Sequence, residues 1–250
     1  MSKREFGLIG YPLSHSFSRS YFAEKFAKEG IDDASYENHP IERIEMFPDL
    51  LQKIPGLRGL NVTIPYKEAV IPYLDALAED AAEIGAVNTV KRYSNGELKG
   101  FNSDIYGFAE TLRRFIPDSY KGGALILGTG GASKAVKYVC SKRALSILSV
   151  SRKRGEGRIL YEDLHEDLLT DYQLIINTTP LGMHPKTDDF PGIPYQALTP
   201  NHYLLDLIYN PSETEFLKRG ARQGSLTKNG MEMLILQAEK SWEIWNNPHC

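Results

Sequence analysis

A chain of 250 residues, 24% charged and 10% aromatic, has the composition of a globular protein with room for one large core or two modest ones. Its formal net charge of −3 argues against a general nucleic-acid binder. Met1 to Glu5 lead into no signal-peptide core, no apolar run is long enough to span a bilayer, and Cys140 and Cys250 have no metal-ligand spacing; a reduced cytoplasmic protein without a metal is expected.

Phe6-Gly7-Leu8-Ile9-Gly10 reads as a first strand. The polar loop Tyr11 to Ser18 follows, with Ser14, Ser16 and Ser18 flanking His15, and then a helical stripe of Tyr21, Phe22 and Phe26. Hydroxyls two residues apart in extended chain point the same way and can clamp an anion; an ordinary turn is the plain alternative, and no local acid supports a Ser-His hydrolytic reading. Leu60 to Ile64 is a strand stopped by Pro65, and Lys67 falls in the expected first turn of a helix. A lysine there opposes the helix dipole at a cost of about 0.3–1 kcal/mol. Its functional reading is proton transfer to a substrate oxygen; its plain one is a solvated side chain.

Ala86 to Tyr93 and Glu97 to Asn102 read as two strands joined by Asn95-Gly96. A two-residue turn there pairs Ser94 with Glu97 and sets Asn88 opposite Ser103, delivering Asn88, Asn102 and Asp104 to one end of a sheet. Asp104 also precedes an amphipathic helix (Phe108, Leu112, Phe115), where the expected duty of an aspartate is the N-cap.

The most informative stretch is Leu125 to Ser133: a buried strand that breaks into Gly128-Thr129-Gly130-Gly131-Ala132 and enters a helix. Such a junction lets backbone N–H groups approach a pyrophosphate at a helix N-terminus. Ser133 stands where the strict fingerprint has its third glycine. The next strand, Leu145 to Val150, ends in Ser151-Arg152-Lys153-Arg154 rather than the acid that holds a free ribose 2′-hydroxyl, which favours NADP over NAD. Strands are expected at Leu174 to Asn177 and Tyr203 to Ile208. The Asn177-to-Met183 loop leaves the first of these at the carboxyl edge, and a final helix spans Met231 to Trp245 with Gln237 interrupting its apolar stripe. Alternating strands and helices imply a parallel sheet covered on both faces. The expected organisation is a first α/β domain over 1–104, a dinucleotide domain over 105–228, and a last helix (229–250) returning to the first.

Taken together the chain resembles the shikimate dehydrogenase family over nearly its whole length. The blocks that carry the resemblance are Ser16-Phe17-Ser18, Asn61 to Lys67, Gly85 to Thr89, Asn102-Ser103-Asp104, Gly128 to Ala132, Asn177 to Met183 and Gly230 to Gln237. The resemblance implies an N-terminal substrate-binding domain, a Rossmann-like NADP-binding domain and a cleft between them. It also implies reversible NADPH-dependent reduction of 3-dehydroshikimate to shikimate, on the route to chorismate and the aromatic amino acids. Ser16 and Ser18 would hold the substrate carboxylate; Thr63, Asn88, Asp104, Tyr209 and Gln237 would contact carboxylate or ring hydroxyls. Lys67 and Asp104 match the catalytic pair. Gly128, Thr129, Gly130, Gly131, Ala132, Ser151 and Arg152 would hold NADP, with Leu207 and Gly230 lining the nicotinamide side. No nucleic-acid or membrane partner is implied, and the state is a monomer or homodimer.

Four positions depart from the usual pattern: Arg19 for proline, Ser103 for threonine, Ser151 for asparagine and Lys153 for threonine. The first two lie close to substrate contacts, so a broader enzyme that also takes quinate or NAD is the alternative within the family. A non-catalytic NADP sensor would be expected to lack Lys67 or Asp104, and both are present.

Overall fold

In the computed structural model, which describes residues 3–13, 17–248 and 250, the chain divides into two compact units. One comprises Met1–Ser103 with Ala238–Cys250, the other Asp104–Gln237.

The first unit is built from β1 (Arg4–Gly10), α1 (Phe17–Glu29), β2 (Ala34–Pro40), α2 (Phe47–Lys53), β3 (Leu57–Val62), β4 (Ala76–Leu77), α3 (Glu79–Ile84), β5 (Thr89–Arg92) and β6 (Leu98–Phe101). Its six-stranded sheet has the order β2-β1-β3-β5-β6-β4. β1 runs parallel to β2 and β3, while β5 is antiparallel to β3 and β6. The sheet is therefore mixed, because the β5–β6 connection is too short for the crossover a parallel pair requires. Side-chain alternation sorts β3 onto two faces. Leu60 and Val62 join Ile9, Phe47 and Val90 on one side. Asn61 points to the other, where Tyr36 and Ser241 lie.

The β5–β6 turn differs from the expected one. The Gly96 N–H bonds the Tyr93 carbonyl and the Tyr93 N–H bonds the Glu97 carbonyl, so the loop is the three residues Ser94-Asn95-Gly96, with Gly96 at φ 91°. A three-residue loop ending in a left-handed glycine shifts the register by one. Thr89 pairs Phe101 and Arg92 pairs Leu98, which sets Asn88 opposite Asn102 rather than Ser103.

The second unit opens with most of α4 (Ser103–Phe115), followed by β7 (Ala124–Leu127), α5 (Gly131–Lys142), β8 (Ile147–Ser151), β9 (Arg158–Leu160), α6 (Glu166–Asp171), β10 (Leu174–Asn177), β11 (Tyr203–Asp206), α7 (Glu215–Arg222) and β12 (Leu226–Lys228). α8 (Met231–Asn246) starts here, and its later residues count with the first unit. All six strands are parallel, in the order β12-β11-β10-β7-β8-β9. Ala124 and Ile126 face Phe108, Leu112 and Val136, whereas Leu125 and Leu127 face Leu169, Phe216 and Leu217. Helices thus cover both faces, as a sheet of near-continuous apolar strands demands. The chain leaves β7 toward β8 on one side and returns to β10 on the other, so the strand order reverses at the β7/β10 carboxyl ends. Ligands of open α/β sheets bind at that point.

Candidate active site

Lys67 does not open a helix. It lies in a turn, Lys67–Val70, ahead of a short 3-10 segment at Ile71–Tyr73. One α-type bond forms, from the Val70 N–H to the Tyr66 carbonyl at 3.0 Å. Pro72 has no N–H to continue the ladder to the Glu68 carbonyl, and six residues between Pro65 and Pro72 are too few to sustain a helix. The dipole argument for Lys67 therefore lapses, and its placement comes from a different contact. The Val87 N–H donates to the Lys67 carbonyl at 2.7 Å, tying this turn to the residue before Asn88.

Asn88 is 3% exposed and leads into β5. Its main chain is fixed on both sides: the Val62 N–H donates to its carbonyl at 2.9 Å, and its own N–H donates to the Phe101 carbonyl at 3.1 Å. Its side-chain Oδ1 accepts from the Ser103 N–H at 2.7 Å, the Ser103 hydroxyl at 3.2 Å and the Thr89 hydroxyl at 3.1 Å. A backbone N–H only donates, so the oxygen end of the amide is the end held by protein, and Nδ2 is the end offered as a donor.

Asp104 is the second residue of α4 and not its cap, because α4 begins at Ser103. Asn102, one position before the helix, spends an amide N–H on the Ala86 carbonyl at 2.9 Å. A carboxylate in the first turn is favoured by the helix dipole.

Ser18 sits in the first turn of α1, half-buried, and hydrogen-bonds the Tyr36 hydroxyl. Phe22, one turn on, stacks on the same Tyr36 with centroids 4.5 Å apart. Ser16 lies outside the described residues, as do Ser14 and His15. Arg19 is exposed and pairs with Glu37 at 3.0 Å, on the surface beside β2. Thr63 follows β3, its N–H bonded to the Ile9 carbonyl at 2.9 Å; a Cβ at Gly10 would approach its methyl at 2.5 Å, so Gly10 leaves room for it. Gln237 is half-buried on α8 and donates Nε2 to the Leu234 carbonyl at 2.9 Å. Tyr209 follows β11, and partial burial pushes its phenol above the ordinary range. Ser18, Thr63, Lys67 and Asn88 belong to the first unit; Asp104, Tyr209 and Gln237 fall in the second.

The second unit carries the glycine turn and the basic strand end that the sequence singled out. Gly128 has φ +104°, and a Cβ there would stand 2.8 Å from the Thr178 hydroxyl. Gly130 caps α5 without a side-chain bond, Gly131 begins it, and a Cβ at either would meet nothing within 4 Å. This leaves Thr129 to Ala132 with open space over orphan helix N–H groups. Ser133 replaces the third glycine without conflict, its hydroxyl bonding the Gly130 carbonyl at 2.6 Å. At the end of β8, Ser151 accepts the Lys153 N–H at 3.2 Å, and Arg152 and Lys153 are exposed. Arg154 is engaged elsewhere, with Asp163 at 3.3 Å and Glu162 at 3.8 Å, which reduces the three expected cations to two. Gly230 donates its N–H to the Ile208 carbonyl at 3.0 Å and packs so closely that any Cβ would overlap the Leu207 carbonyl.

Sequence reasoning missed Asp206. It is fully buried at the end of β11 and binds three donors: Asn177 Nδ2 at 3.0 Å, the Ile208 N–H at 3.0 Å and the Thr214 hydroxyl at 2.6 Å. Burial pushes its carboxyl up to about 6, against the pull of those three bonds. A strand closing on an aspartate was the available signal. Among the described residues no group of three or more His, Cys, Asp or Glu gathers to hold a metal, and no helix is long and apolar enough to cross a membrane.

Comparison with known proteins bears on both units. Residues 8–90 match the family model described as the shikimate dehydrogenase substrate binding domain. A protein named shikimate dehydrogenase (NADP(+)) from Halothermothrix orenii is 38% identical, over 96% of this chain and 89% of that protein. The crystal structure of shikimate 5-dehydrogenase from Thermus thermophilus in complex with NADP(H) and shikimate has a TM-score of 0.85 at 30% identity, covering 97% of this chain and 93% of that one. Quinate dehydrogenase from Corynebacterium glutamicum in complex with NAD has a TM-score of 0.87 at 25% identity, covering 98% and 94%.

Proposed function

The chain belongs to the shikimate dehydrogenase family, and from that premise we propose which of its residues carry the reaction. The activity is the reversible, NADPH-dependent reduction of 3-dehydroshikimate to shikimate. Bound NADPH supplies the hydride. Ser16 and Ser18 hold the substrate carboxylate with Thr63; Asn88 and Gln237 donate amide N–H groups to ring hydroxyls, and Tyr209 closes the set. Lys67 presents its ammonium to the carbonyl oxygen, stabilises the alkoxide character that develops, and releases a proton to it. In the reverse direction neutral Lys67 takes that proton from the hydroxyl. Asp104 orients Lys67.

The observation that carries this reading is a pair of hydrogen bonds. Val87 N–H to the Lys67 carbonyl, and Ser103 N–H to Asn88 Oδ1, tie the stretches bearing Lys67, Asn88 and Asp104 to one another. NADP is held by residues 128–132 at its pyrophosphate and by Arg152 and Lys153 at its 2′-phosphate, with Leu207 and Gly230 beside the nicotinamide. A cytoplasmic location fits the two unpaired cysteines, and the state is a monomer or homodimer.

Rates of NADP and NAD reduction with shikimate and with quinate test the reading. Turnover confined to shikimate with NADP is expected. Comparable rates with quinate or NAD would assign the chain to a broader enzyme and direct attention to Arg19, Ser103 and Lys153.

A further inference from the structure

We infer that Ser241, a residue of the last helix with no part in the chemistry above, is a positioning residue that aims the Asn88 amide at the substrate. The inference rests on Asn88 holding substrate, as proposed above. Ser241 is fully buried, and its hydroxyl lies within hydrogen-bonding distance of Asn61 Nδ2 at 2.9 Å, Thr89 Oγ1 at 2.9 Å and Ser103 Oγ at 3.0 Å.

Proton counting gives this cluster a direction. The Tyr36 hydroxyl donates to Asn61 Oδ1 at 2.9 Å, and Asn61 Nδ2 donates to the Asn88 carbonyl at 3.2 Å, a group that only accepts. The second amide proton of Asn61 faces Ser241 at 2.9 Å, nearer than Thr89 Oγ1 at 3.3 Å. Ser241 in turn lies within reach of both Thr89 and Ser103 and can donate to either. Those hydroxyls stand 3.1 Å apart and would otherwise satisfy each other. With Ser241 donating, both can send their protons to Asn88 Oδ1, joining the Ser103 N–H. Three donors then converge on one oxygen, and an amide flip, which would turn Nδ2 toward them, is blocked. The chain Asn61–Ser241–Thr89/Ser103–Asn88 thus converts a buried helix contact into a fixed orientation at the site. Ser103, the departure from threonine noted in the sequence, is one of its links.

The test is steady-state kinetics on the full-length enzyme with Ser241→Ala, Asn88→Ala and the double variant, with the melting temperature of each. One net hydrogen bond corresponds to a change of roughly threefold to tenfold. Ser241→Ala is expected to raise KM for shikimate by that factor while kcat and KM for NADP stay within about twofold, the pattern of lost substrate binding. In the Asn88→Ala background the same change is expected to add nothing. A folded Ser241→Ala with unaltered shikimate KM, or an effect that adds in full to Asn88→Ala, overturns the positioning role while leaving Asn88 in the site. An Asn88→Ala enzyme with unaltered shikimate KM overturns both. If Ser241→Ala does not fold, Thr89→Val, which removes the next hydroxyl in the chain at nearly constant shape, has to give the same split between the two KM values.

Discussion

Asp206 is a buried carboxylate held by three neutral donors, and Tyr195 is a titratable group that interacts with it electrostatically. Its carboxyl titrates at about 6 in the fold against 3.8 when solvated. Between those values the native state binds more protons than the unfolded chain, so stability falls as pH rises and the full penalty, on the order of 3 kcal/mol, is present above about pH 6. Asp206→Asn keeps the shape and removes the charge. Urea denaturation at pH 4.5 and pH 7 should show the variant gaining on the parent as pH rises; parallel curves would mean that Asp206 is not protonated in that window. The two neighbouring arginines separate in the same residue-by-residue way. Arg152→Ala is expected to raise KM for NADP by about tenfold or more, the worth of a charge-assisted bond, whereas Arg154→Ala, already paired with Glu162 and Asp163, should change it by less than about twofold. Equal effects in initial-rate assays would contradict that division. Sequence showed the basic run but not the acids facing Arg154, because Glu162 and Asp163 approach it only once β9 has turned the chain back.

Elements differ in how openly the sequence announced them. The strand, glycine loop and helix at 124–142 were legible because three signals agree: a continuous apolar run, glycines at the break and a helical stripe behind them. Two others were not. The hairpin register turned on whether Asn95-Gly96 closes a two-residue or a three-residue loop, and the pattern of apolar residues does not separate the two. The helix expected at Lys67 from its place after Pro65 fails at Pro72, seven residues further on, where the N–H needed to continue the ladder is missing. The last helix shows the converse, a contact invisible to periodicity. Trp245 lies against β3 so closely that a Cβ at Gly59 would overlap its indole, and its Nε1–H bonds the Val90 carbonyl at 3.0 Å. Gly59→Ala is expected to cost about 1–3 kcal/mol by forcing that ring off its seat. Chemical denaturation with no loss of stability would show that Trp245 is free to shift.

At the scale of the whole molecule, the alternation of strands and helices and the seven family blocks were enough to assign the class and the activity. They did not reveal that β5 also pairs antiparallel with β3, or that a layer of buried hydroxyls and amides (Thr89, Ser103, Ser241, Asn61) stands behind the proposed substrate amide. Such residues carry no periodic signal: each looks like an ordinary polar side chain until the fold brings residues 61, 89, 103 and 241 together. What remains central is the proposal that Lys67 moves the proton. The most direct measurement is shikimate-dependent NADP reduction by the parent and by Lys67→Ala, with NADPH binding measured on both. The expected result is unchanged NADPH affinity with kcat lower by about 10²–10⁴-fold, the range for loss of a positioned acid–base group. Turnover by Lys67→Ala at the parent's rate would contradict the mechanism.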